Sequence, residues 1–220
     1  MELKPILTFL SKLKKHNDRE WFLANKAEYD EVRALFTEAV TKVHQQLVSI
    51  DGSLTHLDPK KMIYRIHRDV RFSKNKLPYK HNLAATFSSA GKSMLAPGYH
   101  IQLEPNNESF IGLGFYLPEA ETLAKVRQEI DYNGDQLLTI TKNPAFKKLF
   151  PALWDEDKLK SAPKGYDKNH PHVEWLKLKS FLIVRSFRDE EVSDKNFLKE
   201  VSKSFAVGFP FNDFLKNAIS

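Results

Sequence analysis

Apolar residues recur at Ile6, Leu7, Phe9, Leu10 and Leu13 in the stretch from Leu3 to about Lys15, the three-to-four-residue rhythm of an amphipathic helix. Asn17 stands three residues before Glu20, a capping-box arrangement that starts a second helix at Asp18. Along that long helix Val32, Leu35, Phe36, Ala39, Val40, Val43 and Leu47 keep the same spacing and form its buried stripe. Trp21, Phe22 and Tyr29 read as core packing, and Asp51-Gly52 ends the element.

The rhythm then shortens to two. From Met62 to Phe72 the even positions Met62, Tyr64, Ile66, Val70 and Phe72 are apolar or aromatic, with Arg68 as the exception. The odd positions after Ile63 are Arg65, His67, Asp69 and Arg71, so a strand here turns a charged face away from the core. Leu83 to Phe87 is a short second strand. Tyr99, Ile101 and Leu103 alternate with His100, Gln102 and Glu104 to make a third. The turn Pro105-Asn106-Asn107-Glu108 returns the chain into a fourth strand, Phe110 to Tyr116, closing a hairpin. Gly112 and Gly114 leave one face of that strand bare, either for close packing under a helix or for the approach of a ligand.

Pro118 opens the next helix, with Leu123, Val126 and Ile130 on its apolar side. Asn133-Gly134 breaks it, and a short helix near Asp135 to Lys142 stops at Asn143-Pro144. Leu178 to Phe187 reads as a buried strand. Asp194 caps a last helix carrying Phe197, Leu198, Val201 and Phe205, interrupted at Gly208 and Pro210 before a turn with Phe214, Leu215 and Ile219. Strands grouped between helices specify an α+β fold: a mainly antiparallel central sheet of about five strands, flanked by N-terminal, middle and C-terminal helices. No repeat or linker divides the chain, so residues 1–220 are expected to form a single domain.

Composition removes several function classes. With 41% hydrophobic and 28% charged residues, the chain of 220 can bury a core and is not predominantly disordered. Its longest aliphatic run, Phe181 to Val184, is far short of the roughly 20 residues of a membrane span, so no membrane partner is expected. The start MELKPILTF lacks the features of a secretory signal, and a cytoplasmic location is the default. The absence of cysteine excludes disulfides, thiolate zinc sites, iron–sulfur ligation and thiol catalysis.

Charge is what localises the chemistry. The net charge is +6, from 34 Lys+Arg against 28 Asp+Glu. Lys60 to His81 holds eight basic residues and only Asp69 as an acid, or +7, which leaves 26 basic and 27 acidic residues, or −1, elsewhere. A local excess of this kind marks a site for an anion or a solvated surface stretch. Arg65, Arg68 and Arg71 favour the former, because guanidinium groups grip phosphate and carboxylate through two bonds at once. On a strand Arg65 and Arg71 share a face, with Arg68 opposed unless the chain turns at Asp69. Asp69 either holds a guanidinium, the commoner task, or acts as a base. Pro78 fixes the backbone ahead of Tyr79 and Lys80, and Ala162 to His172 forms a second polar loop.

These segments resemble a mostly bacterial family known as domain of unknown function 2461. The resemblance is carried by Asn17 with Arg19-Glu20-Trp21-Phe22, Asn25-Lys26 and Tyr29; by Asp58-Pro59, Arg65, Arg68-Asp69-Val70-Arg71-Phe72-Ser73, Lys76 and Pro78-Tyr79-Lys80. It continues through Gly98-Tyr99, Leu103-Glu104-Pro105, Pro163-Lys164-Gly165-Tyr166 and His170-Pro171. The family tends to carry aromatic residues where this chain has His100 and Gln102. The resemblance implies no catalytic role.

His67, His100, Glu104, His170 and His172 could supply metal ligands, but they lack a ligand-spaced motif, so no metal or other cofactor is expected. Ser73 lacks a nucleophile-elbow context, and Gly112-Leu113-Gly114 opens no helix. The leading expectation is binding of a phosphate- or carboxylate-bearing ligand, nucleic acid among them. Its residues are Arg65, Arg68, Arg71, Ser73, Lys76 and Lys80, with Lys164 and His170 closing the site and Tyr79, Tyr99 or Tyr166 stacking on a base or sugar. Two alternatives stand beside it. One is an enzyme on a small anionic substrate with Asp69, Glu104 or His170 as acid–base group. The other is a packing role in which the arginines pair with Glu20, Glu28, Asp30 and Glu31.

Overall fold

The computed structural model describes residues 1–71, 74–93 and 95–220, so Phe72 and Ser73 lie outside the described residues. In chain order the elements are α1 (Lys4–Lys15), α2 (Arg19–Ala24), α3 (Lys26–Ile50), a 3-10 turn at Gly52–Leu54, and α4 (Pro59–Met62). Then come β1 (Leu83–Ser88), β2 (Gly98–Leu103), β3 (Ser109–Phe115), α5 (Ala120–Lys142), α6 (Pro144–Leu149), α7 (Val173–Leu176), β4 (Phe181–Phe187), α8 (Asp189–Ser193) and α9 (Phe197–Ala218). The four strands form one antiparallel sheet in the order β1-β2-β3-β4, and the class is α+β.

The chain divides into two compact units, each assembled from separate stretches. The first comprises Met1–Phe87, His100–Ile111 and Ser186–Lys203; the second comprises Ser88–Tyr99, Gly112–Arg185 and Ser204–Ser220.

In the first unit α1 buries Ile6, Leu7, Phe9, Leu10 and Leu13, and α3 buries Val32, Phe36, Ala39, Val40, Val43 and Leu47, as their spacing requires. Asp18 caps α2 by accepting from the Trp21 backbone N–H at 2.8 Å. The helix expected to run unbroken from Asp18 is in fact two, since α2 stops at Ala24 and α3 restarts at Lys26.

Over residues 62–71, the described part of the expected strand Met62 to Phe72, no strand is formed, and the sheet has four strands and not about five. Asp58 accepts from the Lys60 N–H at 3.0 Å and draws Pro59–Met62 into α4. Beyond it the chain pairs at points only: Ile63 opposite Ala85 and His67 opposite Tyr79. Between these two bridges one side advances four residues and the other six, so the hydrogen bonds cannot run as a continuous ladder. The extra residues fall around Lys80, His81 and Asn82.

In the second unit the bare face of β3 serves packing. A Cβ on Gly114 would stand 1.9 Å from the Phe181 carbonyl oxygen and 3.2 Å from the Phe211 ring, and its φ of +121° suits glycine alone. The expected break at Asn133-Gly134 is a kink within α5, with Asn133 at φ −125°, ψ 24°. Gly208 and Pro210 do not interrupt α9, which runs through both. No helix among the described residues is long and apolar enough to cross a membrane.

Candidate functional site

The basic segment belongs to the first unit and folds as a clasped loop. Arg68 N–H donates to Pro78 O at 2.9 Å and Lys80 N–H to Ile66 O at 2.8 Å, which sets residues 66–68 antiparallel to residues 78–80. Asn17 pins the return arm at both backbone groups of Tyr79: its Nδ2 donates to Tyr79 O at 3.0 Å, and its Oδ1 accepts from Tyr79 N–H at 3.0 Å. The Tyr79 ring is 4% exposed and stacked on Phe22 at 4.1 Å, with His67 at 5.2 Å. Tyr79 therefore anchors the loop and presents no face to a ligand.

The cations of the loop have different commitments. Asp69 grips Arg71 through a fork, Nε to Oδ1 at 3.0 Å and Nη2 to Oδ2 at 2.7 Å, and Arg71 holds the Asp69 carboxyl below its usual range. Lys76 Nζ donates to Val70 O at 3.0 Å and closes the loop on itself. Arg65, Arg68 and Lys80 differ. Among the described residues no carboxylate lies within ion-pairing distance of any of the three. Lys80 is half-buried, and burial first, then the charges of Arg65 and Arg68, hold its ammonium below the usual lysine range. Its Nζ sits 5.3 Å from the centre of the Tyr64 ring. Two acids of the N-terminal helices named as partners are engaged elsewhere, Glu28 with Lys12 at 2.9 Å and Asp30 with Lys26.

Next to Lys80 a chain of polar side chains crosses β1 and β2. Tyr64 donates its hydroxyl to Thr86 Oγ1 at 3.2 Å, and Thr86 Oγ1 lies 2.8 Å from His100 Nδ1. The His100 ring stacks on Phe110 at 5.3 Å. Burial pushes His100 down to about 4, with the Lys80 charge adding to it and a Gln102 hydrogen bond opposing it, so the ring is neutral at pH 7. Gln102 and Asn82 both donate to Glu104 Oε2, at 2.7 and 3.2 Å, while His81 Nδ1 lies 2.6 Å from Oε1. Glu104 is 6% exposed; burial and contact with Glu108 raise its pKa.

The sequence singles out Glu104 but not its neighbours His81, Asn82 and Gln102, nor Tyr64 and Thr86, which lead to His100. The alternation His100, Gln102, Glu104 was a signal, because it puts three polar groups on one face of a strand.

The remaining candidates lie in the second unit. Tyr99 is 0% exposed and meets Phe205 edge-on at 5.4 Å, so it is a core residue and not a stacking platform. Lys164 is exposed. His170 Nε2 lies 3.0 Å from Asp131 Oδ1, and its Nδ1 accepts from the His172 N–H at 3.0 Å. His172 Nε2 is 3.3 Å from Asp135, and its ring stacks on Trp175 at 5.3 Å. These contacts fasten the second polar loop to α5 at its kink, where a Cβ on Gly134 would stand 2.2 Å from the His172 ring. Tyr166 has its pKa raised by burial first. His170 is thus held by a carboxylate of its own unit.

The model of a family described as conserved hypothetical protein DUF2461 matches residues 5–214. The chain belongs to DUF2461. Both the clasped loop with its arginines and the His170 loop fall inside the matched region of the family. The chain is also similar to a DNA topoisomerase 1 from Alkalihalophilus pseudofirmus, 26% identical over 167 residues. That alignment covers 67% of this DUF2461 chain and 23% of the topoisomerase, so the chain spans about a quarter of the length of the curated relative it matches. No solved structure gives a significant match.

Proposed function

We propose that Arg65, Arg68 and Lys80 form a recognition site for a phosphate- or carboxylate-bearing ligand. One observation carries this reading. Lys80 stands within electrostatic reach of two guanidinium groups, and among the described residues no carboxylate lies within ion-pairing distance of any of the three. Gathering like charges is unfavourable, and an anion bound among them offsets that repulsion. Arginine forks suit such a guest, and the Tyr64 ring beneath Lys80 fixes one cation in place. Asp69 supports the arrangement as the holder of Arg71. The similarity to part of a DNA topoisomerase adds polynucleotides to the ligands worth testing.

Thermal-shift and calorimetric titrations of the full chain with phosphate, pyrophosphate, citrate and a single-stranded oligonucleotide test the reading. Saturable binding by at least one probe is expected, weakened about tenfold, or roughly 1.4 kcal/mol, by Arg65→Ala or Arg68→Ala. An oligonucleotide held by three phosphate contacts shows a slope of about −2 in log affinity against log salt, whereas a small enclosed ligand shows a flatter one. Arg68→Glu is expected to stay folded while abolishing binding. Indifference to all four probes, or affinity untouched by both alanine variants, refutes the proposal.

A further inference from the structure

We propose that His81, Glu104 and Glu108 form a binding site for a divalent first-row transition cation such as Zn²⁺ or Mn²⁺. One ligand atom from each residue lies within 4.8 Å of the others. The three come from separate places in the first unit: His81 from the loop before β1, Glu104 from the end of β2, and Glu108 from the turn into β3.

That turn is braced from both sides. Ser109 Oγ accepts from Glu104 N–H at 3.0 Å and donates to Glu104 O at 2.9 Å. The Asp189 carboxylate accepts from the N–H groups of Asn106 and Asn107, each at 2.9 Å, and Asn107 Oδ1 accepts from Asp189 N–H at 2.9 Å. The two carboxylates are therefore held on a fixed frame.

Three features of the cluster suit a bound cation. Asn82 and Gln102 occupy Oε2 of Glu104 and aim Oε1 at His81, the kind of outer support that orients metal ligands. His81 Nδ1 is enclosed and lies 2.6 Å from Oε1, so a cation bridging the two atoms takes the place of the proton that they otherwise share. A carboxylate oxygen of Glu104 and one of Glu108 lie within 4.8 Å of each other, a repulsion that a shared cation relieves. Lys14, 3.1 Å from Glu108, offers only partial compensation from one side. One imidazole with two carboxylates suits a cation of intermediate hardness, water completing the shell, better than a soft ion or one that takes oxygen alone.

The test is calorimetric titration of the chelator-stripped full chain with Zn²⁺ and, separately, Mn²⁺. One equivalent is expected to bind, with His81→Gln and Glu108→Gln each weakening it at least tenfold and Lys14→Ala tightening it. His170→Gln, in the other unit, leaves it unchanged. Glu108 is exposed, so Glu108→Gln stays folded even if the His81 variant does not, and circular dichroism checks both. Absence of saturable binding overturns the proposal, as does binding that survives both substitutions. Anion titrations of the same variants report separately on Arg65 and Arg68.

Discussion

His100 makes the first unit sensitive to acid by an amount that follows from its surroundings. The ring is bonded to Thr86 and stacked on Phe110, and burial first, with the Lys80 charge adding, lowers it from 6.5 to about 4. In the unfolded chain the same ring takes a proton near pH 6.5. Between those values the unfolded state binds the proton and the folded state does not, so stability falls as pH falls through that window and levels off below it. The contribution lost is about 2 kcal/mol by pH 5 and about 3 kcal/mol by pH 4. Paired carboxylates titrate in the same range, so the quantity to measure is a difference. Urea unfolding of the wild type and of His100→Gln, which keeps a polar partner for Thr86 but cannot titrate, should give stabilities that converge or cross as pH drops from 7.5. The wild type should lose about 3 kcal/mol more than the variant by pH 4. Parallel losses in the two proteins would refute the assignment of a neutral, enclosed imidazole.

Three further outcomes follow from the geometry. Asn17→Ala removes both bonds to the Tyr79 backbone and should cost about 1–3 kcal/mol in chemical denaturation, with Asn17→Asp recovering part of it because its oxygen still accepts from Tyr79 N–H. Gly114→Ala places a Cβ 1.9 Å from the Phe181 carbonyl oxygen at a φ of +121°, and should cost about 4 kcal/mol or more or prevent soluble expression. Asp69→Asn releases Arg71 and removes the negative charge beside Arg65, so calorimetry should show pyrophosphate binding strengthened a few-fold with the melting temperature unmoved; a base at this position would instead be lost without gain in affinity.

Helices α1 and α3 were legible because each buries one stripe, and β2 because its burial alternates, whereas β1 and β3, buried along nearly their whole length, showed as short apolar runs. The segment after Met62 misled for a physical reason. Its alternation is real, but the bridges at Ile63–Ala85 and His67–Tyr79 are out of step by two residues, an offset visible only once both partners are placed. Asn17 sits in a capping-box spacing, yet Asp18 takes the cap and Asn17 reaches 62 residues ahead to Tyr79. Arginine clustering exposed the basic loop, since charge needs no partner to be seen in a sequence. The neighbours of Glu104 stayed hidden because Asn82 reaches it across 22 residues, from a connection with no helical or strand period. Tyr99 looked like an exposed stacking group only by composition; its place on the inward face of β2 makes it core.

If Arg65, Arg68 and Lys80 hold one anion together, they respond to it as a group. Side-chain nitrogen–proton spectra of the arginines, followed during titration of the full chain with pyrophosphate, read this directly. The signals of Arg65 and Arg68 should move along one shared saturation curve. Those of Arg127, bonded to the Leu176 and Leu178 carbonyls, and Arg185, bonded to Ser204, should stay still. Signals of Arg65 and Arg68 that do not move, or that drift no more than every other arginine, would contradict the account.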